Sequence, residues 1–172
     1  MVKEEVRSNE YADFYSNYIK LAPHNKSITE CLAISAKEII TFYSILSEEK
    51  LLYRYAEGKW TLKEMLVHII DTERIFSYRA LRFARKDSTT LHGFEQDDYV
   101  PYSNANNRTL ENLLEEYTAV RKATTTLFAS FDRDNLKRIG YASNNAISVR
   151  AIGFIISGHE IHHLKIAKER YM

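Results

Sequence analysis

Apolar residues recur every three to four positions along five stretches of this chain, and polar residues fill the positions between them. That period puts one apolar face on an α-helix, whereas a strand would alternate from residue to residue. Tyr11, Phe14, Tyr15, Tyr18 and Leu21 predict a short amphipathic helix from Asn9, its candidate N-cap, to about Leu21. Pro23 ends it, because proline disfavours helix in the residue before it. Ile28, Leu32, Ile39, Phe42, Tyr43 and Leu46 predict a second helix, from Ser27 to about Ser47. Ser27 and Glu30 have the spacing of a capping box at its start. Thr61 and Glu64 repeat that spacing and open a third helix, which runs to about Ala84 without Gly or Pro. Thr109 to about Phe131 and Ser148 to about Arg170 complete the set. Residues 85–108 read as one long irregular loop, of a length often tied to function, and residues 132–147 as a second connection. The fold predicted is all-α: a four-helix bundle over residues 27–172, preceded by a short helical arm over residues 1–26.

Composition sharpens this in a few places. The 172 residues include 5 Gly and 2 Pro, too few for the tight turns of an all-β sandwich or barrel. Two of the glycines, Gly153 and Gly158, fall inside the last helix, where each costs about 1 kcal/mol against alanine. Their position points to a close helix approach around the histidine pair that the same helix carries. The net charge is +1, from 24 basic and 23 acidic residues, which gives no electrostatic footprint for a nucleic-acid backbone. The lone Cys31 excludes an intramolecular disulfide and a Cys-rich zinc site, and fits a reducing compartment. No apolar run approaches the roughly 18 residues of a membrane span. The stretch MVKEEVRSNEYADF lacks the apolar core of a signal peptide. The expectation is a soluble, cytoplasmic protein with neither a membrane nor a nucleic-acid partner.

The chemistry concentrates in Gly158-His159-Glu160-Ile161-His162-His163. On a helix His159 and His163 stand one turn apart on one face, a spacing at which two imidazoles can grip one metal ion. Ile152, Ile155, Ile156 and Ile166 lie on the same stripe, so the pair points toward the bundle core. His162 reads as exposed or as an alternative ligand. The string also fits the H-E-x-x-H of zinc proteases, whose third ligand comes from further along the chain. Only nine residues follow His163, and none is His, which counts against that reading. His68 sits mid-helix among apolar residues and would complete a three-nitrogen set. Three protein ligands with an open position describe a catalytic rather than a closed structural site. Glu160 is a candidate base, although it lies about 100° round the helix from His159. Arg79, three turns beyond His68 on its face, is a candidate clamp for an anionic substrate group; ion pairs to a neighbouring helix are the simpler reading. Trp60 is a packing anchor or a pocket wall.

In combination, Trp60, Glu64, His68 and Asp71 followed by the C-terminal H-x-x-x-H helix resemble the DinB superfamily, also described as DinB/YfiT-like metal-dependent hydrolases. The resemblance covers roughly residues 30–170. It implies an up-down-down-up four-helix bundle and a divalent metal, commonly nickel or zinc, on His68, His159 and His163. It also implies a homodimer and a small-molecule substrate. Relatives include S-transferases that use a low-molecular-weight thiol, so a thiol is a second cofactor candidate. Two functions follow: a metal-dependent enzyme of the hydrolase or thiol-transferase type, or a non-catalytic metal-binding, stress-associated dimer.

Overall fold

The computed structural model describes all 172 residues. Its elements in chain order are α1 (Ser16–Leu21), α2 (Ile28–Tyr43), α3 (Glu48–Leu52), α4 (Leu62–Ala84), α5 (Gln96–Tyr99), α6 (Leu110–Ala129), α7 (Arg133–Lys137), β1 (Ile139–Ala142), β2 (Asn145–Ser148) and α8 (Val149–Arg170). The four long helices α2, α4, α6 and α8 form the bundle. Each begins on a side-chain cap. Ser27, Thr61, Thr109 and Ser148 accept the backbone N–H of Glu30, Glu64, Asn112 and Ala151. These bonds satisfy donors that a helix start leaves free.

Helix directions follow from which residues meet. Glu73 and Ser77 of α4 meet Arg121 and Thr124 of α6, so the numbers rise together and the two helices are parallel. His68 of α4 meets His159 of α8, whereas Trp60, just before α4, meets Tyr171, just after α8. That pair is antiparallel. Cys31 of α2 meets Ser157 of α8, and Gly153 faces Ile28, so α2 and α8 are parallel. The bundle is therefore up-down-down-up. Residues 85–109 carry the chain back along the bundle between the parallel α4 and α6.

The core has two apolar clusters. One holds Ile28, Leu32, Phe76, Phe83, Phe128, Ile152 and Phe154 among others. The other holds Ile39, Tyr43, Leu62, Leu66, Ile70, Leu113 and Leu164 among others. Between them each bundle helix contributes one polar residue to a single layer: Ser35, Glu73, Arg121 and Glu160. Arg121 donates to both oxygens of Glu73, both of Glu160, Ser35 Oγ and the Leu32 carbonyl, at 2.6–3.2 Å. The fork geometry of guanidinium is thus fully used.

Four details differ from the sequence expectation. Helix α2 stops at Tyr43 because Ser47 starts a new helix, accepting the Lys50 N–H. The connection 132–147 contains α7, capped by Asp132, and an antiparallel hairpin that pairs Ile139 with Ser148 and Ala142 with Asn145. Ser143 and Asn144 turn it, with φ of 50° and 62°, the positive pair that a two-residue hairpin turn requires. The 85–108 loop holds α5 and two 3-10 turns. In the arm only Ser16–Leu21 is α-helical, and Asn9 lies within a 3-10 turn instead of capping a helix.

Candidate metal centre

Helices α4 and α8 present three imidazoles to one another. His68 comes from the first half of α4, and His159 and His163 from successive turns of α8. Nε2 of His159 lies 3.0 Å from Nε2 of His68 and 3.1 Å from Nε2 of His163. One ligand atom from each falls within 4.8 Å of the others, and no further His, Cys, Asp or Glu joins the group. Two nitrogens bound to one ion at about 2.0–2.1 Å sit about 3.0–3.4 Å apart, so this spacing suits a shared divalent ion. Burial pushes the His68 imidazole down to about 4. Burial, helped by the neighbouring imidazoles, holds His159 and His163 well below the usual histidine range. The three rings are therefore neutral near pH 7, the form in which imidazole binds a metal. The donor set fits a divalent transition metal.

The surroundings are aromatic. Trp60 packs 4.8 Å from His68 and runs nearly parallel to His163 at 6.5 Å between ring centres. Tyr18 of α1 stands edge-on to His159 at 5.3 Å and to His162 at 5.4 Å. His68 Nδ1 faces Thr72 Oγ1 at 3.5 Å, and His163 Nδ1 is buried without a partner. A cavity of about 720 Å³ opens beside His163, and its wall includes Trp60, Tyr55, Arg54, Lys59, Glu64 and Asp97. That volume is typical of small-molecule sites. Trp60 thus serves both as packing anchor and as pocket wall.

The remaining candidates lie elsewhere. Glu160 is in the polar layer, accepting from Arg121 and from Tyr117 Oη. Its carboxylate is committed to the bundle interior and is not aimed at the imidazoles as a base. Burial raises its pKa, with Arg121 acting against that. Arg79 is buried about 16 Å along α4 from His68 at 1.5 Å per residue. It donates to the His92 carbonyl at 3.1 Å and Ser143 Oγ at 3.2 Å, and packs over Phe76 and Phe94. It ties the long loop to the hairpin turn, neither clamping a ligand at the imidazoles nor pairing with a neighbouring helix's carboxylate. His162 is half-buried outside the triad. Gly153 faces Ile28 and Phe128, and Gly158 faces the backbone of Tyr18. Of the two close approaches, only the second is at the imidazoles, and the element approaching is the arm.

Sequence reading missed the network at the cavity wall. Glu64 accepts from the Thr61 N–H, from Arg54 at 3.0 Å and from Asn106 Nδ2 at 2.9 Å. The capping box signalled the first of these contacts, but nothing local signals the other two. Tyr18 was visible only as one more apolar position on its stripe.

Comparison with known proteins bears on the fold and on the family. Among curated protein sequences none matches this chain. The fold is similar to that of YfiT from Bacillus subtilis, described as a probable metal-dependent hydrolase with an unusual four-helix bundle topology. The TM-score is 0.74 at 12% identity, covering 85% of this chain and 91% of that one. A sequence model of the DinB superfamily matches residues 34–167, a span that holds α4, most of α8 and all three triad histidines. By that match the chain belongs to the DinB superfamily.

Proposed function

We propose that this protein binds one divalent metal, nickel or zinc, on His68, His159 and His163 and uses it in an enzyme of the hydrolase or thiol-transferase type. One observation carries the reading: three converging neutral Nε2 atoms, with no fourth protein ligand, beside a cavity large enough for a small molecule. An ion held there supplies a Lewis acid that lowers the pKa of a water or thiol reaching its open position. The protein does the rest. The rings of His68 and His163 are held by Trp60, and the same indole excludes water from one side. Charges of both signs line the cavity, Arg54 and Lys59 against Glu64 and Asp97, and Arg54 is paired with Glu64. The description of YfiT supports the hydrolase side; the thiol side rests on the resemblance of the motifs.

The test is elemental analysis of the purified chain after dialysis against nickel or zinc. One equivalent is expected in the wild type, and far less in His68→Ala, His159→Ala and His163→Ala. Full occupancy in any of these variants would remove that residue from the ligand set. Screening the loaded protein against ester and amide substrates, then against electrophiles with several low-molecular-weight thiols, separates the two reactions. Activity in neither screen, with full metal occupancy, would favour the non-catalytic dimer.

A homodimer in the cytoplasm is part of the same proposal. Tyr78 and Leu81 are exposed on α4, beside an α4–α6 groove lined by Ser77, Ala119, Val120, Ala123 and Leu127. Cys31 is a free thiol. No helix is long and apolar enough to cross a membrane. Sedimentation at micromolar concentration reads the assembly directly.

A further inference from the structure

The family match begins at residue 34, yet one of the aromatic walls of the imidazole cluster comes from before it. Tyr18 stands on α1, inside the arm. The arm is held in place at several points. Lys3 reaches back to the carbonyls of Lys20 and Ala22, which end α1. Glu10 pairs with Arg150 at the start of α8. Ile19 and Ala22 are buried in the first apolar cluster. The tightest contact is at Gly158. A Cβ there would fall 1.8 Å from the Tyr18 carbonyl oxygen, a backbone atom that cannot move aside alone. Glycine at this position therefore lets the arm's backbone lie directly against the turn of α8 that begins His159.

Imidazole rotation about its last torsion is soft, so a ligand ring needs outside support to hold its nitrogen on target. Metal-bound histidines usually get that support from a hydrogen bond at the second nitrogen. His159 is different: both of its polar contacts are at Nε2, toward the other two rings. Outside the triad, the aromatic ring that meets it is Tyr18, edge-on with an interplanar angle of 82°. Trp60 does the corresponding work for His68 and His163. His159 is also the shared member of the triad, within 3.1 Å of both partners, so its ring angle sets the geometry of the whole cluster.

We propose that the N-terminal arm is a working part of the metal centre, with Tyr18 as a positioning residue that sets the ring of His159. Gly158 provides the seat that lets it do so. The arm also closes the α1 side of the triad, leaving the cavity beside His163 for the approach of a ligand. This proposal rests on the metal reading given above and assigns the arm to that same site.

Cobalt(II) tests it, because its visible absorption reports ligand geometry without any turnover. The full-length wild type, Tyr18→Phe, Tyr18→Ala and Gly158→Ala are titrated with cobalt and the bands compared. Tyr18→Phe keeps the ring and should match the wild type in both bands and affinity. Tyr18→Ala should bind about tenfold more weakly, at the low end of the effect of removing a residue that supports a ligand, with shifted bands. Gly158→Ala, which lifts the arm but keeps Tyr18, should move the same way. Identical bands and affinity in Tyr18→Ala and the wild type would overturn the proposal. A Tyr18→Phe variant as impaired as Tyr18→Ala would also overturn it, since the hydroxyl and not the ring would then be acting. A wild type that takes up no cobalt overturns the metal reading itself and the arm's role with it, an outcome distinct from the other two.

Discussion

At the scale of single residues, Glu64 shows how the cavity wall and the stability of α4 depend on the same atoms. Its carboxylate closes the capping box with Thr61 and also accepts from Arg54 and Asn106. Burial alone would raise its pKa. The Thr61 N–H, Arg54 and Asn106 outweigh that and hold it below its ordinary 4.5. A carboxyl depressed in the folded state contributes stability above its unfolded pKa and loses it as pH falls through the folded value. Glu64→Ala should therefore melt about 2–4 °C below the wild type at pH 7, for the roughly 1 kcal/mol of a lost cap. The gap should close as both proteins are taken below pH 4.5 and through the depressed value, because only the wild type has this contribution to lose. Thermal melts at several pH values check it, and a gap that is constant down to pH 2 would contradict the assignment. Legibility differed from residue to residue. His68, His159 and His163 could be picked out because polar, ligating side chains sat on otherwise apolar helical stripes. Glu160 could not be placed the same way. One turn of helix offers several directions, and only the partner Arg121, on another helix, decides which of them suits a carboxylate.

At the scale of elements, the polar layer sets how the four helices are turned relative to one another. Arg121 reaches three other helices, and its five N–H donors are occupied there. Two carboxylates face one guanidinium, and Tyr117 donates to the second of them. Glu160 directly follows His159 in α8. Locking Glu160 inward therefore fixes the rotation of α8 and with it the side on which His159 and His163 emerge. Removing the guanidinium leaves Glu73 and Glu160 buried without their cation. Breaking such a pair from one side costs about 3–5 kcal/mol. Arg121→Met should lose about that much in urea unfolding, and a change below 1 kcal/mol would show that the layer is not structural. A triple change of Arg121, Glu73 and Glu160 to apolar residues should recover much of the loss. This layer was hidden in the sequence, because charged residues on amphipathic helices normally mark the solvent face. The helices themselves were legible: their caps and apolar periods are local signals. The β1–β2 hairpin was not, since its Ser143-Asn144 turn reaches positive φ without the Asn-Gly signature.

At the scale of the whole molecule, the proposed metal would join two antiparallel helices through residues far apart in the chain. His68 and His159 are separated by 91 positions, and between them lie the long loop, all of α6 and the hairpin. The fold does not rest on that joint. Both apolar clusters and the polar layer are complete without it, and every bundle helix is capped by its own side chain. Removing the metal should therefore weaken the fold by a finite amount without unfolding it. An ion that binds only the folded chain, present at about 100 times its dissociation constant, contributes about 2.7 kcal/mol. For a domain of this size that corresponds to a rise of about 5–10 °C in melting temperature. A chelator should lower the melting temperature of the loaded wild type by that amount while leaving the helical circular dichroism at 20 °C intact. In His68→Ala the chelator should have a much smaller effect, because two imidazoles hold the ion more weakly than three and less of it is bound. A wild type whose melting temperature ignores both added metal and chelator would show that the three rings do not tie α4 to α8 through an ion. Loss of helix on chelation at 20 °C would show instead that the ion is needed for the bundle to exist, a structural site in place of the open one proposed.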